Sequence, residues 1–493
     1  MISATVGFCG SIVRRLIFGV VIGMVGLTSI VRAAPLWETL DVGQVQVLED
    51  PSTTAAIDQI LAQRAQFTDL DLTTPNFGFT SSAYWLRIPV QNQTDAHQEF
   101  YLDIKNAVLD YATLYVVSQG LLQETVRSGD KLPARQRPYP ATTLVLPFHL
   151  APGTSAELYV QVKSDGEPLL VPFAVLQQKA LQSSVIFAWM LHSLFLGVFG
   201  ALFIYNLFVL SLLRSRLHLY YVLFLPITYL AIAGGSGFGP AALYPDNTWL
   251  GNEGTVVFSG ISLMMNILIL RELLQIQTNR RLERWLKIFI IGAIIIGISP
   301  FLWSWRFAYS LITMAIFLYP SFCTIISVIA WRHKQMEARF YLMGQICLWC
   351  STIIIGLLGA NILPYHLLLF QSPTIGVAVS ALLLSFALTD RIRILQRARL
   401  QAEEQARQNL EIRQEALERL VAERTAEIKT LHGILPICAN CKKIRDEEGA
   451  WQGLETYISQ HTDAQFSHGI CTDCMRTLYP TVYQKRQQGT VTK

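Results

Sequence analysis

The sequence predicts a multidomain membrane protein made of an all-β sandwich, a seven-helix transmembrane bundle, a coiled coil and a small four-cysteine module. Three observations carry this: short alternating strands over about 76–175, seven apolar runs from Val185 onward, and two Cys-x-x-C pairs toward the C-terminus. The 493 residues are 52% apolar and 15% charged, a balance too apolar for a soluble chain. The expected divisions are 1–33, 34–180, 185–388, 389–434 and 435–493.

Residues 1–33 place Arg14 and Arg15 before an apolar stretch from Leu16 to Val31, followed by Val31-Arg32-Ala33. This is the pattern of a signal peptide cleaved after Ala33, with an uncleaved anchor as the alternative because the apolar run is long. Either way residues 34–180 are expected in the periplasm. No cysteine falls between Ala34 and Ala180, so this segment must fold without disulfides. It carries 9 Lys/Arg against 16 Asp/Glu, and residues 389–493 carry 16 against 14. Neither part is basic enough to suggest nucleic acid as a partner.

Runs such as Tyr84-Trp85-Leu86-Arg87-Ile88-Pro89-Val90, Glu99-Phe100-Tyr101-Leu102-Asp103-Ile104, Ala112–Val117, Thr143–Phe148 and Glu157–Val162 alternate or cluster β-forming residues between turns. Their spacing reads as an antiparallel sandwich. A short helix is expected around Thr54–Phe67, where Ile57, Ile60 and Leu61 share a face.

The apolar runs lie at about 185–212, 219–241, 254–272, 286–304, 307–331, 338–362 and 367–388, each long enough to cross about 30 Å of hydrocarbon. The loops after the first, third and fifth contain Arg214 and Arg216; Arg271, Arg280, Arg281, Arg284 and Lys287; and Arg332, Lys334 and Arg339. The alternate loops contain only Arg306. The positive-inside bias therefore puts the C-terminal tail in the cytoplasm, with the chain in a bacterial inner membrane. No Asp, Glu, Lys or Arg lies near mid-membrane, which argues for signalling over ion-coupled transport. Cys347 and Cys350 sit inside the sixth run and read as helix packing more readily than as a redox pair.

Ala83-Tyr84-Trp85-Leu86-Arg87, Gly129-Asp130-Lys131-Leu132-Pro133 with Arg137-Pro138, and Leu158-Tyr159-Val160-Gln161-Val162 resemble the type-2 extracellular domain of seven-transmembrane receptors with diverse intracellular signalling modules. The resemblance continues through Tyr205-Asn206-Leu207-Phe208, Tyr220–Phe224 and Leu382–Ile392, and so covers about 40–395. It implies a jelly-roll-like sandwich related to carbohydrate-binding modules and hence a small soluble ligand, a sugar among the candidates. Tyr84, Trp85, Arg87, Asp130 and Arg137 are the contacts it nominates, since aromatic faces bury one side of a pyranose while polar groups pair its hydroxyls. A core role for Trp85 and an ion-pair role for Arg87 are the alternatives.

From Asp390 to Thr430 the chain is rich in Glu, Arg, Gln and Ala and lacks Gly and Pro, which predicts one long helix. Leu410, Gln414, Leu417, Val421, Arg424, Ile428, Leu431 and Leu435 step by four and three residues, a heptad seam that calls for a partner helix and a parallel homodimer. The stretch Leu417–Glu427 resembles the signalling linkers that feed histidine kinases or cyclases. No nucleotide loop or kinase box follows, and His432 lacks the surroundings of a phosphoacceptor.

Instead come Cys438-Ala439-Asn440-Cys441, 29 residues, and Cys471-Thr472-Asp473-Cys474. Two such knuckles suit one tetrahedral zinc ion held by four thiolates in a zinc-ribbon-like module. With Trp451, Phe466, His468 and Leu478, the segment resembles a cysteine module found at the ends of bacterial sensory and response-regulator proteins. The resulting expectation is a receptor without a catalytic site that signals to a cytoplasmic protein. The alternatives are a thiol redox switch, an atypical phosphotransfer protein, and a transporter with an appended regulator.

Overall fold

The computed structural model describes residues 40–70, 75–95, 97–276, 279–333, 335, 338–360, 362–363, 366–432 and 434–488; the expected leader, 1–33, lies outside them. The chain divides into two units, one extending to Leu395 and one beginning at Gln396.

Residues 40–177 form two antiparallel sheets. The larger runs in the order β3 (Thr68–Asp69), β2 (Gln46–Asp50), β4 (Ala83–Asn92), β9 (Ser155–Lys163), β6 (Tyr111–Ser118) and β7 (Leu121–Ser128), with β1 (Leu40–Val42) also paired to β4. The smaller runs β10 (Phe173–Gln177), β5 (Gln98–Ile104), β8 (Leu144–Leu150). The period of two along each strand decides what meets what. Leu86, Ile88 and Val90 of β4 and Leu158, Val160 and Val162 of β9 face Phe100, Leu102 and Ile104 of β5 and Leu144, Leu146 and Phe148 of β8 in a single core. The opposite face of the larger sheet presents Trp85 and Tyr159, which a helix at Ile57–Ala62 covers with Ile57 and Ile60. This helix falls within the span expected for it; the strands β2, β7 and β10 had no expectation of their own.

Seven helices are long and apolar enough to cross a membrane: Gln178–Leu213, Arg216–Gly235, Glu253–Leu273, Arg280–Leu302, Trp305–Arg332, Ala338–Gly359 and the one that begins at Ser372. The first starts seven residues before the expected 185, because β10 runs straight into it with no linker. Its Leu181 is buried beside Tyr101, Val145 and Leu176 from the outer face of the smaller sheet. The seventh is held by Tyr221 Oη donating to the Ala381 carbonyl (2.6 Å), by Asn206 Nδ2 donating to Ser385 Oγ (3.2 Å), and by the Arg339–Asp390 ion pair (2.9 Å). No break separates it from the polar segment beyond Asp390: one helix spans Ser372–His432.

Within the second unit, Leu410, Leu417, Leu420 and Val421 are exposed on that helix. The side chains of Ile428 and Leu431, on the same predicted seam, lie outside the described residues. The terminal module contains a hairpin, β11 (Ile444–Arg445) with β12 (Trp451–Gln452), and helices at Leu454–His461, Thr472–Leu478 and Pro480–Gln488.

Candidate functional site

Three carboxylates from three separate loops meet where the β domain adjoins the helices. Asp110 ends the loop before β6, Asp130 follows β7, and Glu167 lies beyond β9; all are buried, at 0%, 7% and 3% exposure. One oxygen from each lies within 4.8 Å of the others. Gly129 makes the approach of the first two possible: its φ is +148°, and a Cβ there would overlap the Asp110 carbonyl oxygen. The Asp130 amide then donates to the Leu109 carbonyl at 2.9 Å.

Asp110 Oδ2 accepts from the Asp165 amide (2.6 Å), and the single Ser164 hydroxyl proton is shared between Asp110 Oδ2 (3.2 Å) and Glu167 Oε2 (3.0 Å). Glu167 Oε1 accepts from Trp305 Nε1 at 2.9 Å, and Trp305 opens the fifth spanning helix. A Cβ on Gly166 would strike that same Trp305 ring, so the loop meets the helix through bare backbone. Lys131 Nζ stands 3.5 Å from Asp110 Oδ1 and 5.2 Å over the Trp305 ring. Further ties cross the seam: the Ala134 amide to the Pro245 carbonyl (2.8 Å), Arg306 Nη2 to the Phe79 carbonyl (2.9 Å), and Asn76 Nδ2 to the Gly359 carbonyl.

Burial, then the charge of Asp110, pushes the Asp130 carboxyl above the ordinary carboxylate range, although Lys131 and Arg137 pull it back. Burial and the same two aspartates raise Glu167 likewise. Burial lowers the Arg137 guanidinium against the pull of Asp130. Beside this cluster lies a small crevice of about 10 Å³, lined by Asp130, Arg137 and Leu132 of the β domain and by Tyr244, Asn247 and Asn252 from the connection between the second and third spanning helices.

Of the five nominated ligand contacts, the structure brings only Asp130 and Arg137 to this cleft. Trp85 is fully buried and stacks on Tyr115 at 5.5 Å. Arg87 donates to Gln46 Oε1 and Glu157 Oε1, each at 2.6 Å. Tyr84 stacks on Phe77 at 3.9 Å. Sequence reasoning missed Asp110, Glu167 and Trp305; no spacing or motif links residues so far apart, and a buried acid leaves no periodic signal.

The cysteines form two pairs. Around Cys438 the chain makes a tight knuckle, with the Lys442 amide donating to the Cys438 carbonyl (3.0 Å) and the Cys438 amide to the Lys443 carbonyl (2.8 Å). Amide groups of Cys441 and Asn440 aimed at Cys438 hold its thiol below the usual range. Cys471 caps the helix Thr472–Leu478, accepting from the Cys474 amide at 3.4 Å, and that contact lowers its thiol too. Cys438 and Cys441 lie in one knuckle and Cys471 and Cys474 in the other, and these are the four residues that the zinc expectation names. One thiol of each pair, Cys438 and Cys471, is thus favoured as thiolate by donated amides, while the neighbouring Cys471 pushes the Cys474 thiol up.

No curated protein matches the chain. Residues 42–177 match the family model described as 7TMR-DISM extracellular 2, and residues 188–391 match the one described as 7TM diverse intracellular signalling. The matched segments are the two-sheet domain and the spanning helices up to the point where the seventh continues as the long polar helix. Taken with the seven apolar helices, the two matches support assigning the chain to the 7TMR-DISM family of membrane receptors, with an extracellular domain joined to a seven-helix membrane domain.

Proposed function

We propose that this protein is a non-enzymatic transmembrane signalling receptor whose periplasmic β domain senses a small soluble ligand, carbohydrate being the class its family resemblance implies. The relay runs through a parallel coiled-coil dimer to a zinc-stabilised module that engages a cytoplasmic signalling protein. The observation that carries this reading is the joint between the β domain and the helices. Strand β10 becomes the first spanning helix without a linker, and Trp305 at the head of the fifth is bonded to Glu167. A rearrangement of the β domain must therefore move at least two membrane helices, which is what a bistable relay needs. The unbroken helix Ser372–His432 supports an output on the tail, and its exposed leucines support a partner helix.

The test is cysteine cross-linking in native membranes. Leu417→Cys should form an intermolecular disulfide, and its yield should change when the seam is weakened by Trp305→Phe; no cross-link in either background sinks the dimeric relay. Co-purification of cytoplasmic proteins with the full-length chain then identifies the partner. The pairing of the sulfurs two by two favours a second reading, a thiol redox switch. Zinc content measured with reversible thiol titration separates the two, because a thiol switch oxidises and reduces without bound metal.

A further inference from the structure

We propose that the crevice between the β domain and the connection joining the second and third spanning helices is a binding site for a single water molecule, held by Asp130, Arg137, Tyr244 and Asn252. All four residues line it, and each is more than nine-tenths buried. Each also keeps one polar atom to which the chain supplies no hydrogen-bond partner: Asp130 Oδ1, Arg137 Nη1, Tyr244 Oη and Asn252 Oδ1. Other atoms of two of these side chains are committed. Arg137 Nε donates to the Leu132 carbonyl (3.3 Å), and Asn252 Nδ2 donates to the Thr248 carbonyl (2.9 Å), which leaves its amide oxygen over. Buried polar atoms are seldom unmet, because each forfeits its hydration without replacement. Four of them around one small space point to a shared partner.

Their chemistry selects that partner. The two Oδ1 atoms call for donors, Arg137 Nη1 calls for an acceptor, and the Tyr244 hydroxyl serves as either. A water molecule donates twice and accepts twice, so it answers all four. A metal cation offers no lone pair to the guanidinium and is repelled by its charge; a simple anion offers no proton to the two oxygens. Size agrees, since the crevice holds about 10 Å³, the room one water needs, and buried waters make 2–4 hydrogen bonds, typically about 3. The backbone is shaped to form the site. The Tyr244 hydroxyl occupies the place a Cβ on Gly239 would take, and Gly237, at φ +77°, lies where a Cβ would strike the Thr142 carbonyl oxygen. Bare backbone thus brings the helix connection against the β domain. Two of the four groups come from each side, so the water bonds the two together beside the direct bond from the Ala134 amide to the Pro245 carbonyl (2.8 Å). This attachment is separate from that of Glu167 to Trp305 and does not depend on which ligand the β domain senses.

The experiment is a structure of the wild-type full-length protein in lipid nanodiscs, at a resolution that shows ordered water, with and without prior treatment with chelator. One density peak should lie at hydrogen-bond distance, about 2.7–3.2 Å, from at least three of the four atoms, and should persist after chelation. Absence of such a peak overturns the proposal, as does direct bonding among the four atoms. So does a peak that chelator removes, because the occupant is then a metal ion. A double-mutant cycle reads the same site in solution. Tyr244→Phe and Arg137→Met, on opposite sides of the seam, should each lower the melting temperature of the solubilised protein by a few degrees. Together they should lower it by less than the sum, because both remove bonds to one water. Strictly additive shifts would show that the two residues share no partner and overturn the bridge.

Discussion

Replacing Trp85 separates a ligand-contact role from a core role. The indole is fully buried between the larger sheet and the covering helix, packed with Ile57, Ile60, Phe67 and Tyr159. Trp85→Ala removes one of the largest buried side chains in the domain and leaves a void that the flanking strand cannot close. Such truncations cost about 3–5 kcal/mol. Trp85→Phe behaves differently. The indole Nε1 has no hydrogen-bond partner, so the wild type already carries the roughly 1–3 kcal/mol cost of a buried unsatisfied donor. Phenylalanine loses some packing but sheds that donor, and the two changes offset to within about 1 kcal/mol. Pulse proteolysis across a urea gradient on the solubilised full-length protein measures both. The expected order is Trp85→Ala far below wild type, with Trp85→Phe close to it. An alanine variant as stable as wild type would refute the core assignment and return Trp85 to the list of surface contacts.

Glu157 provides a pH test: burial opposes its ionisation, but hydrogen bonds from Arg87 and Tyr159 and the charge of Arg87 outweigh this and hold the carboxyl below its usual value. Its stabilising contribution is therefore present above the unfolded carboxylate pKa, is lost as pH falls through the lower folded value, and should shrink in acid-unfolding curves of Arg87→Met, where Tyr159 and Arg64 still hold the carboxylate. Cys441→Ser or Cys474→Ser should abolish stoichiometric zinc, measured by atomic absorption, without altering membrane insertion; a metal-free wild type that keeps its fold in chelator would favour the redox alternative. In the Leu417→Cys background, Leu410→Asp with Val421→Asp should lower dimer cross-linking several-fold, and unchanged yields would place the partner contact elsewhere on the helix.

The seven spans, the strand-rich domain and the long polar helix were legible from the sequence because each is a local pattern. An apolar run of sufficient length, a period of two or a heptad step is written in neighbouring residues and needs no partner to be recognised. What composition did not show is that the last span and the polar helix after Asp390 are one element: the backbone hydrogen bonds run on across the change in composition, and the helix spans Ser372–His432. The family signature likewise singled out Gly129, Asp130 and Arg137 without saying what they meet.

What they meet is a tertiary matter. Asp110, Asp130 and Glu167 come together because β6, β7 and β9 lie side by side and Gly129 lets two backbones touch, and Trp305 joins them from far along the chain. The sequence by itself determined the membrane helices, the long polar helix and the strands with clear β patterning, since those choices follow from short-range periodicity and hydropathy, whereas β2, β7 and β10 did not stand out. Only the tertiary structure decided that Trp85 is core, that Arg87 is an ion-pair partner, and that three acids share one buried pocket, because burial and charge proximity are set by contacts between residues distant in the chain.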